Sequence, residues 1–372
     1  MNSTLTILKK LIDIPTVTGD HKANKQALDY IDNFLQTRGL VVERLTVNGF
    51  ESLVATTAGT KTPDLLLAGH IDVVPAPEAM FALHEKDGKL YGRGTFDMKF
   101  AIATYLNIID QLKGSIKEYS LGVMITTEEE FGGMNGTNVL VGRGYVPKVC
   151  ILPDGGDDWH IETFAKSRWG GQIITYGKAA HGSRPWEGDN AIDKLMNLLA
   201  ELKPLFGQQP TDNTMTISEI TGGEAINQVP SFAQASLDLR LMGNDEYDRI
   251  YKAINAICSK YGATLTTEIY AQPCINSLDN PYIAEFVKLI EQHTGTRVEG
   301  TISYGATDGR YFSAVGVPCI IVRPPGGGHH GPDEWIDAAS LPVFEAILRE
   351  YIDQIAKQPA QKPAEQVLTI SQ

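Results

Sequence analysis

At 372 residues the chain exceeds one ordinary domain of about 100–200 residues, so two domains are expected. Its 42% hydrophobic content is ample for large cores, and its formal charge of -13, unrelieved by any Lys/Arg cluster, argues against nucleic acid as a partner. No run approaches the roughly 20 apolar residues of a membrane helix, and the N-terminal MNSTLTILKKLIDIP lacks a signal-peptide layout, so a soluble cytoplasmic protein with no membrane partner is expected.

Leu5 to Ile14 and Lys25 to Arg38 carry apolar residues at helical spacing, the second through Ala27, Leu28, Ile31, Phe34 and Leu35. Val41 to Val47 reads as a strand. The apolar run Asp64 to Ala68 then feeds Gly69-His70-Ile71-Asp72. A less regular run, Lys89 to Gly92, leads into Arg93-Gly94-Thr95-Phe96-Asp97. The helix predicted over Met98 to Leu112 would hold Asp97 at its N-terminus. Leu121 to Thr127 runs into Glu128-Glu129-Glu130, and Val149 to Pro153 into Asp154. Runs of this length and composition read as buried parallel strands.

Near Arg168 the pattern changes. Strand Gly171 to Tyr176, amphipathic helix Asn190 to Leu205, strands Thr214 to Ile220 and Phe232 to Leu241, helix Asp245 to Tyr261 and strand Thr264 to Tyr270 follow in turn. The order β-α-β-β-α-β is the split-βαβ, ferredoxin-like unit. It reads as a domain over 168–277 inserted into a second one made of 1–167 and 278–372. From about Pro281 the helix–strand alternation resumes, and Val317 to Val322 leads through Arg323-Pro324-Pro325-Gly326-Gly327-Gly328 to His329-His330. The tail KQPAQKPAEQ, from Lys357, is expected to be loosely held. Cys150, Cys258, Cys274 and Cys319 show no CxxC spacing and read as buried free thiols.

Ligands of open α/β sheets sit at the carboxyl ends of the strands. Imidazoles and carboxylates are therefore expected on one sheet edge, as a catalytic metal site. His70 and Asp72, two apart, would share a face of an extended strand, with His70 binding metal through one ring nitrogen and Asp72 orienting the other. Asp97, Glu130, Asp154 and a loop histidine would complete a set of five ligands. That exceeds one tetrahedral zinc and points to two metals sharing a bridging carboxylate. The absence of thiolate disfavours a purely structural zinc site.

Within Glu128-Glu129-Glu130, one residue could ligate metal while its neighbour takes a proton from water. Chemistry alone does not separate His329 from His330. His181, in AAHGSRP, could simply cap a turn, and His21, His84, His160 and His293 read as structural. Gly326 to Gly328 lacks the GK[ST] ending of a phosphate loop, GRGTFD lacks a dinucleotide fingerprint, and no GxSxG elbow occurs.

GHIDVVP, YGRGTFDMK, ITTEEEFGG, LPD, KAAHGSRP and HHGPDE, in this order, resemble the di-zinc aminoacylase and exopeptidase family over nearly the whole chain. The family includes glutamate carboxypeptidase, acetylornithine deacetylase, succinyl-diaminopimelate desuccinylase, peptidase T and carnosinase-like dipeptidases. The resemblance implies an α/β, zinc-exopeptidase-like catalytic domain with a mixed, largely parallel sheet, carrying an inserted ferredoxin-like α+β lid. It implies His70 as ligand of one zinc and Asp97 as the bridging carboxylate. Thr126 to Gly132 is similar in register to T-x-[DE]-E-E-x-G, which makes Glu129 the general base and Glu130 a ligand of the second zinc. Asp154 and His330, which directly precedes Gly-Pro-Asp-Glu, complete the metal set, and Asp72 supports His70.

By the same resemblance, His181 is the lid histidine that reaches the partner subunit's site and stabilises the oxyanion. Asn227, Arg240 and Arg310 match substrate-contacting positions. The implied enzyme is a two-metal amidohydrolase holding two Zn2+, with Co2+ or Mn2+ as substitutes. It would act on a small carboxylate-bearing amide, a peptide or N-acyl amino acid, with a biosynthetic desuccinylase or deacetylase as the alternative. A homodimer through the lid is expected, with strand Phe232 to Leu241 and helix Asn190 to Leu205 as its interface. Three departures stand out. Asp154 lies in LPDG where deacylases commonly show Gly-Glu-Pro, and resembles the aminopeptidase and dipeptidase branches. Glu128 replaces the common aspartate, and Phe100 follows Met98-Lys99 where glycine is usual. A non-catalytic binder on the same scaffold would lack a ligand or the base, and none is missing.

Overall fold

The computed structural model describes residues 3–358 and divides the chain into two compact units. One comprises the residues up to His160, Asp279–Val298 and the residues from Val317 on; the other comprises Ile161–Leu278 and Glu299–Gly316. Of the tail KQPAQKPAEQ, only Lys357 and Gln358 lie within the described residues.

The first unit is built on a six-stranded sheet in the order Val41–Val47, Phe50–Thr56, Leu121–Thr126, Leu65–His70, Val149–Ile151 and Cys319–Ile320. The last four strands are mutually parallel, and the first two form an antiparallel hairpin on their edge. Every residue of Leu65–His70 and Leu121–Thr126 is buried, as expected of parallel strands covered on both faces. The hairpin turns at Asn48-Gly49, both at positive φ, the pairing that suits a two-residue loop. Helix Lys99–Leu112 is buried at all positions but Gln111, and Phe100 meets Phe344 of helix Ser340–Ile355 edge-on at 5.5 Å. Burying such a ring contributes about 1.5–3 kcal/mol. The ring occupies the position where the family resemblance led to an expectation of glycine.

The run Lys89 to Gly92 departs from expectation. Lys89–Tyr91 lies outside the main sheet, in a separate antiparallel one with His84–Lys86, Trp335–Asp337 and Gly326–Gly327. Three residues with one buried member cannot compete for a central position; they pair locally and with the chain after the histidine loop.

In the second unit, Thr214–Gly222, Phe232–Leu241, Ser167–Tyr176 and Thr264–Ala271 form an antiparallel sheet in that order. Counted along the chain this is 2-3-1-4, the ferredoxin-like arrangement. Helices Ala191–Leu202 and Asn244–Lys260 cover one face, closing a core that includes Trp169, Ile173, Leu198, Leu237 and Ile254. A second sheet joins Cys274–Ile275, Ile161–Ala165 and Gly300–Ser303, which is why 161–167 and 299–316 group with this unit and not with 1–167 and 278–372 as the sequence pattern suggests. Phe232–Leu241 has paired neighbours on both sides, and the outer strands of this sheet are Thr214–Gly222 and Thr264–Ala271.

All four cysteines are buried free thiols. Among the described residues no helix is long and apolar enough to cross a membrane.

Candidate metal centre

The residues with metal-binding side chains follow the parallel strands. His70 is the last residue of its strand, Glu128-Glu129-Glu130 begin two residues past Thr126, and Asp154 lies three past Ile151. His329 and His330 follow Cys319–Ile320 by a longer loop, and Asp97 lies two residues before the start of helix Lys99–Leu112. The carboxyl edge of the sheet thus gathers them.

Asp97 divides its two oxygens between two groups. Its Oδ1 faces Nε2 of His70 at 3.4 Å, and the same nitrogen lies 3.7 Å from Oδ1 of Asp154. Its Oδ2 lies 2.7 Å from Nε2 of His329 and 3.3 Å from Nε2 of His330. His330 Nε2 is also 3.1 Å from Oε2 of Glu130. His70, Asp97 and Asp154 form one cluster able to hold a cation, and Asp97, His329 and His330 another. Among the described residues, His70 Nε2 and Asp97 Oδ1 are buried without a hydrogen-bond partner. A cation between them would satisfy both, and imidazole nitrogen with carboxylate oxygen suits a divalent first-row metal.

His70 is oriented differently from the expectation. Its Nδ1 lies 2.9 Å from the main-chain carbonyl oxygen of Asp72 and 3.5 Å from the Asp72 carboxylate. The strand ends at His70, so the alternation that would align the two side chains stops there, and the carbonyl takes the nearer place. A proton on Nδ1 donated to that carbonyl leaves Nε2 as the metal-facing lone pair. The Asp72 carboxylate instead accepts from Thr18 Oγ1 at 2.9 Å and from the main-chain N–H groups of Glu129 and Glu130, both at 3.3 Å.

The three glutamates separate by contact. Buried Glu128 accepts from the main-chain N–H and side-chain amide of Asn135 at 2.8 and 3.1 Å, which fixes the turn after the strand. Glu130 reaches His330. Glu129, half-buried between them, has its main chain tethered to Asp72.

Two glycines shape the loops. Gly94 has φ +88°, and a Cβ there would sit 2.9 Å from the Lys99 side chain. Gly328 has φ +70°, and a Cβ would meet the Asp333 carbonyl at 2.5 Å. His330 itself adopts φ +58°, a left-handed conformation costing a side-chain-bearing residue roughly 1–2 kcal/mol.

Burial opposes a charge on His70, but the carboxylates of Asp154, Asp72 and Asp97 outweigh it and hold its pKa well above the ordinary value. Asp97 and Glu130 push His330 up to about 10. Burial would raise Asp97, yet His329, His330 and His70 hold it well below the usual carboxylate range. Without metal, protons on His70 and His330 would balance the acids, and a metal would have to displace them.

The remaining candidates lie in the second unit. His181 sits on the short strand Ala180–His181, which pairs with Gln228–Val229; its Nδ1 is 2.9 Å from Ser183 Oγ, and its neighbour Gly182 donates to the Asn227 carbonyl at 2.7 Å. Sheet pairing thus sets His181 opposite Gln228, one residue from Asn227. Arg240 is ion-paired with Asp238 at 2.7 Å and donates to the Tyr304 carbonyl at 3.4 Å. Arg310 is buried, with Nη2 donating to the Tyr311 hydroxyl at 3.1 Å.

Four residues around the centre escaped sequence reasoning. Thr18 supports Asp72. Lys99, wholly buried, donates to the carbonyls of Leu11 and Ile14 at 3.0 and 2.9 Å, and burial lowers its pKa to about 7. Arg323, also buried, binds Asp157 at 2.6 Å and lies 4.1 Å from the Phe96 ring. Glu334 ends HHGPDE. A charged residue inside an apolar or glycine-rich stretch was the available signal for Lys99 and Arg323.

The family model "Peptidase family M20/M25/M40" matches residues 66–354. Succinyl-diaminopimelate desuccinylase of Hahella chejuensis (strain KCTC 2396) is 28% identical over 378 residues, with 95% of this chain and 97% of that protein covered. Acetylornithine deacetylase of Proteus mirabilis (strain HI4320) is 26% identical, with 94% and 96% covered. Among solved structures, a tripeptidase from Staphylococcus aureus superposes with TM-score 0.78 at 21% identity, covering 95% of this chain and 98% of that one. An M20 family metallo-carboxypeptidase from Sulfolobus solfataricus gives 0.76 at 16%, covering 95% and 99%. At these identities the structural likeness establishes the fold.

Proposed function

The chain belongs to peptidase family M20/M25/M40 and is a metal-dependent hydrolase; from that premise we propose that it cleaves the amide bond of a small peptide or N-acyl amino acid at a two-metal centre. His70 and Asp154 would hold one ion, Glu130 and His330 the other, and Asp97 both. The observation that carries this reading is the division of the Asp97 oxygens between the two clusters. Two divalent ions, Zn2+ or in its place Co2+ or Mn2+, would supply an acidified water and polarise the amide carbonyl.

Glu129 is the proton carrier in this reading. It lies beside the proposed ligand Glu130, and its main chain is fixed by Asp72, so its carboxylate can take the proton of the attacking water and return it to the leaving amine. His181 would donate to the developing oxyanion. Asn227, Arg240 and Arg310 would contact the substrate, the arginines meeting its carboxylate. We assign the chain to the cytoplasm and to a homodimer formed by the second unit. Exposed Met196 and Ile220, on the helix and on an edge strand of that unit, support the latter.

The curated relatives are a desuccinylase and a deacetylase at 26–28% identity, which favours an acylated amino acid as the second reading. Asp154 favours the peptide. Amine release by the zinc- or cobalt-loaded protein from dipeptides, tripeptides, N-acetylornithine and N-succinyl-diaminopimelate, each with a chelator control, decides between them. Chelator-sensitive cleavage of peptides alone supports the first reading, and of acylated amino acids alone the second. Cleavage insensitive to chelation would refute the metal chemistry.

A further inference from the structure

We propose that Glu334 is a positioning residue of the metal centre, its carboxylate setting the Asp97 loop and joining it to the histidine loop; this rests on the two-metal reading above. Glu334 has no exposed surface. Its Oε1 accepts from the main-chain N–H groups of Gly94, Phe96 and Asp97 at 3.0, 2.8 and 3.0 Å. Its Oε2 accepts from Gly94 N–H at 2.9 Å and from Arg93 Nη1 at 2.5 Å. The main-chain carbonyl of Glu334 takes the Gly92 N–H at 3.1 Å. Arg93 in turn donates through Nη2 to the Gly331 carbonyl at 2.9 Å, one residue past His330. Glu334 thus organises Gly92–Asp97, its carboxylate holding the segment from Arg93 to Asp97, and Arg93 ties this stretch to the loop that carries His329 and His330.

Stability alone does not call for this arrangement. A buried ion pair is often matched or bettered by well-packed apolar groups. What a carboxylate adds is a single rigid acceptor for several N–H groups, including that of Asp97 itself. Asp97 must hold its two oxygens towards different clusters, so a small rotation of its main chain would spoil both at once. Gly94 lets the loop approach: its φ is +88°, and a Cβ would press on Lys99 and Val73.

The Glu334→Gln change keeps the shape but turns an NH2 group towards N–H donors. Cobalt binding, followed by titration and by the ligand-field spectrum, is measured on wild type and variant, with thermal unfolding of the metal-free proteins and kcat and KM of the loaded ones. The expected result is a variant that folds, binds cobalt about 10–100-fold more weakly, shows an altered spectrum, and loses kcat with little change in KM. Unchanged cobalt affinity and spectrum, whatever the unfolding temperature, would overturn the role. If the metal-free variant does not fold, rescue of folding by saturating cobalt supports the proposal, and failure of rescue overturns it in favour of a purely structural role. Arg93→Gln, which cuts only the link to Gly331 and one bond to Glu334, should shift affinity in the same direction by a smaller factor. A wild type that binds no cobalt would bring down the metal reading itself, an outcome distinct from a failure of Glu334 alone.

Discussion

The Nε2 of His70 and the Oδ1 of Asp97 face each other across 3.4 Å, both buried and both without a hydrogen-bond partner among the described residues. Folding leaves such atoms unsatisfied at a cost of about 1–3 kcal/mol each. Their persistence as a facing pair, with Asp154 beside them, marks a place prepared for a cation. The other oxygen of Asp97 turns to the histidine loop, and that division underlies the predictions for the centre.

Glu129→Gln should lower kcat about 100- to 10,000-fold, the range for loss of a positioned general base, while the protein keeps its metal. Turnover and metal content measured on the same preparation check this. Loss of metal with activity retained would remove Glu129 from the role.

His330 and His329 should differ in kind. His330 stands between Asp97 and Glu130, whereas His329 lies against the Oδ2 of Asp97. His330→Ala is expected to bind one zinc ion per chain by elemental analysis and His329→Ala two. The reverse pattern would transfer the ligand role to His329.

Asp72→Asn should separate two functions of one residue. The main-chain carbonyl that fixes the His70 tautomer remains, so metal content should persist. The carboxylate that holds the Glu129 and Glu130 N–H groups and the Thr18 hydroxyl is weakened, and kcat should fall about 10–100-fold. Loss of metal from the Asp72→Asn protein would restore the carboxylate as the orienting group.

Arg38 and Asp110 give a prediction away from the site. Burial pushes the Asp110 carboxyl up, but Arg38, at 2.7 Å, more than offsets this and holds its pKa below the ordinary value. A depressed folded-state pKa stabilises the protein above the unfolded value, near 3.9, and that contribution disappears as pH falls through the folded value. Asp110→Asn should therefore lower stability at pH 7 by about 1 kcal/mol or less, with the difference from wild type vanishing in strong acid. Denaturant unfolding at both pH values measures it. A constant difference would assign the effect to packing.

Much of this centre was legible because the candidate ligands close or follow buried strands, and an apolar run ending in His70 or Asp154 advertises both the strand and its edge. The alternation of Phe232–Leu241 likewise shows in its sequence, and its inner residues are buried at every second position. Strand Phe50–Thr56 was missed although Asn48-Gly49 announces its hairpin. The pairing of Ile161–Ala165 with Gly300–Ser303 was out of reach, since partners some 140 residues apart leave no local pattern. That the Asp72 carbonyl, and not its carboxylate, lies nearer His70 depends on where one strand stops. Glu334 was in plain view within HHGPDE, but its work is on main-chain N–H groups, which side-chain chemistry does not reveal.

In the proposed centre Asp97 bridges two metal ions. Crystals grown with zinc and measured on either side of the zinc absorption edge would test it most directly. Two anomalous peaks about 3.5–4 Å apart are expected, one beside His70 and Asp154 and the other beside Glu130 and His330, with Asp97 between them. A single peak, or peaks that leave Asp97 without a metal on one of its oxygens, would contradict it.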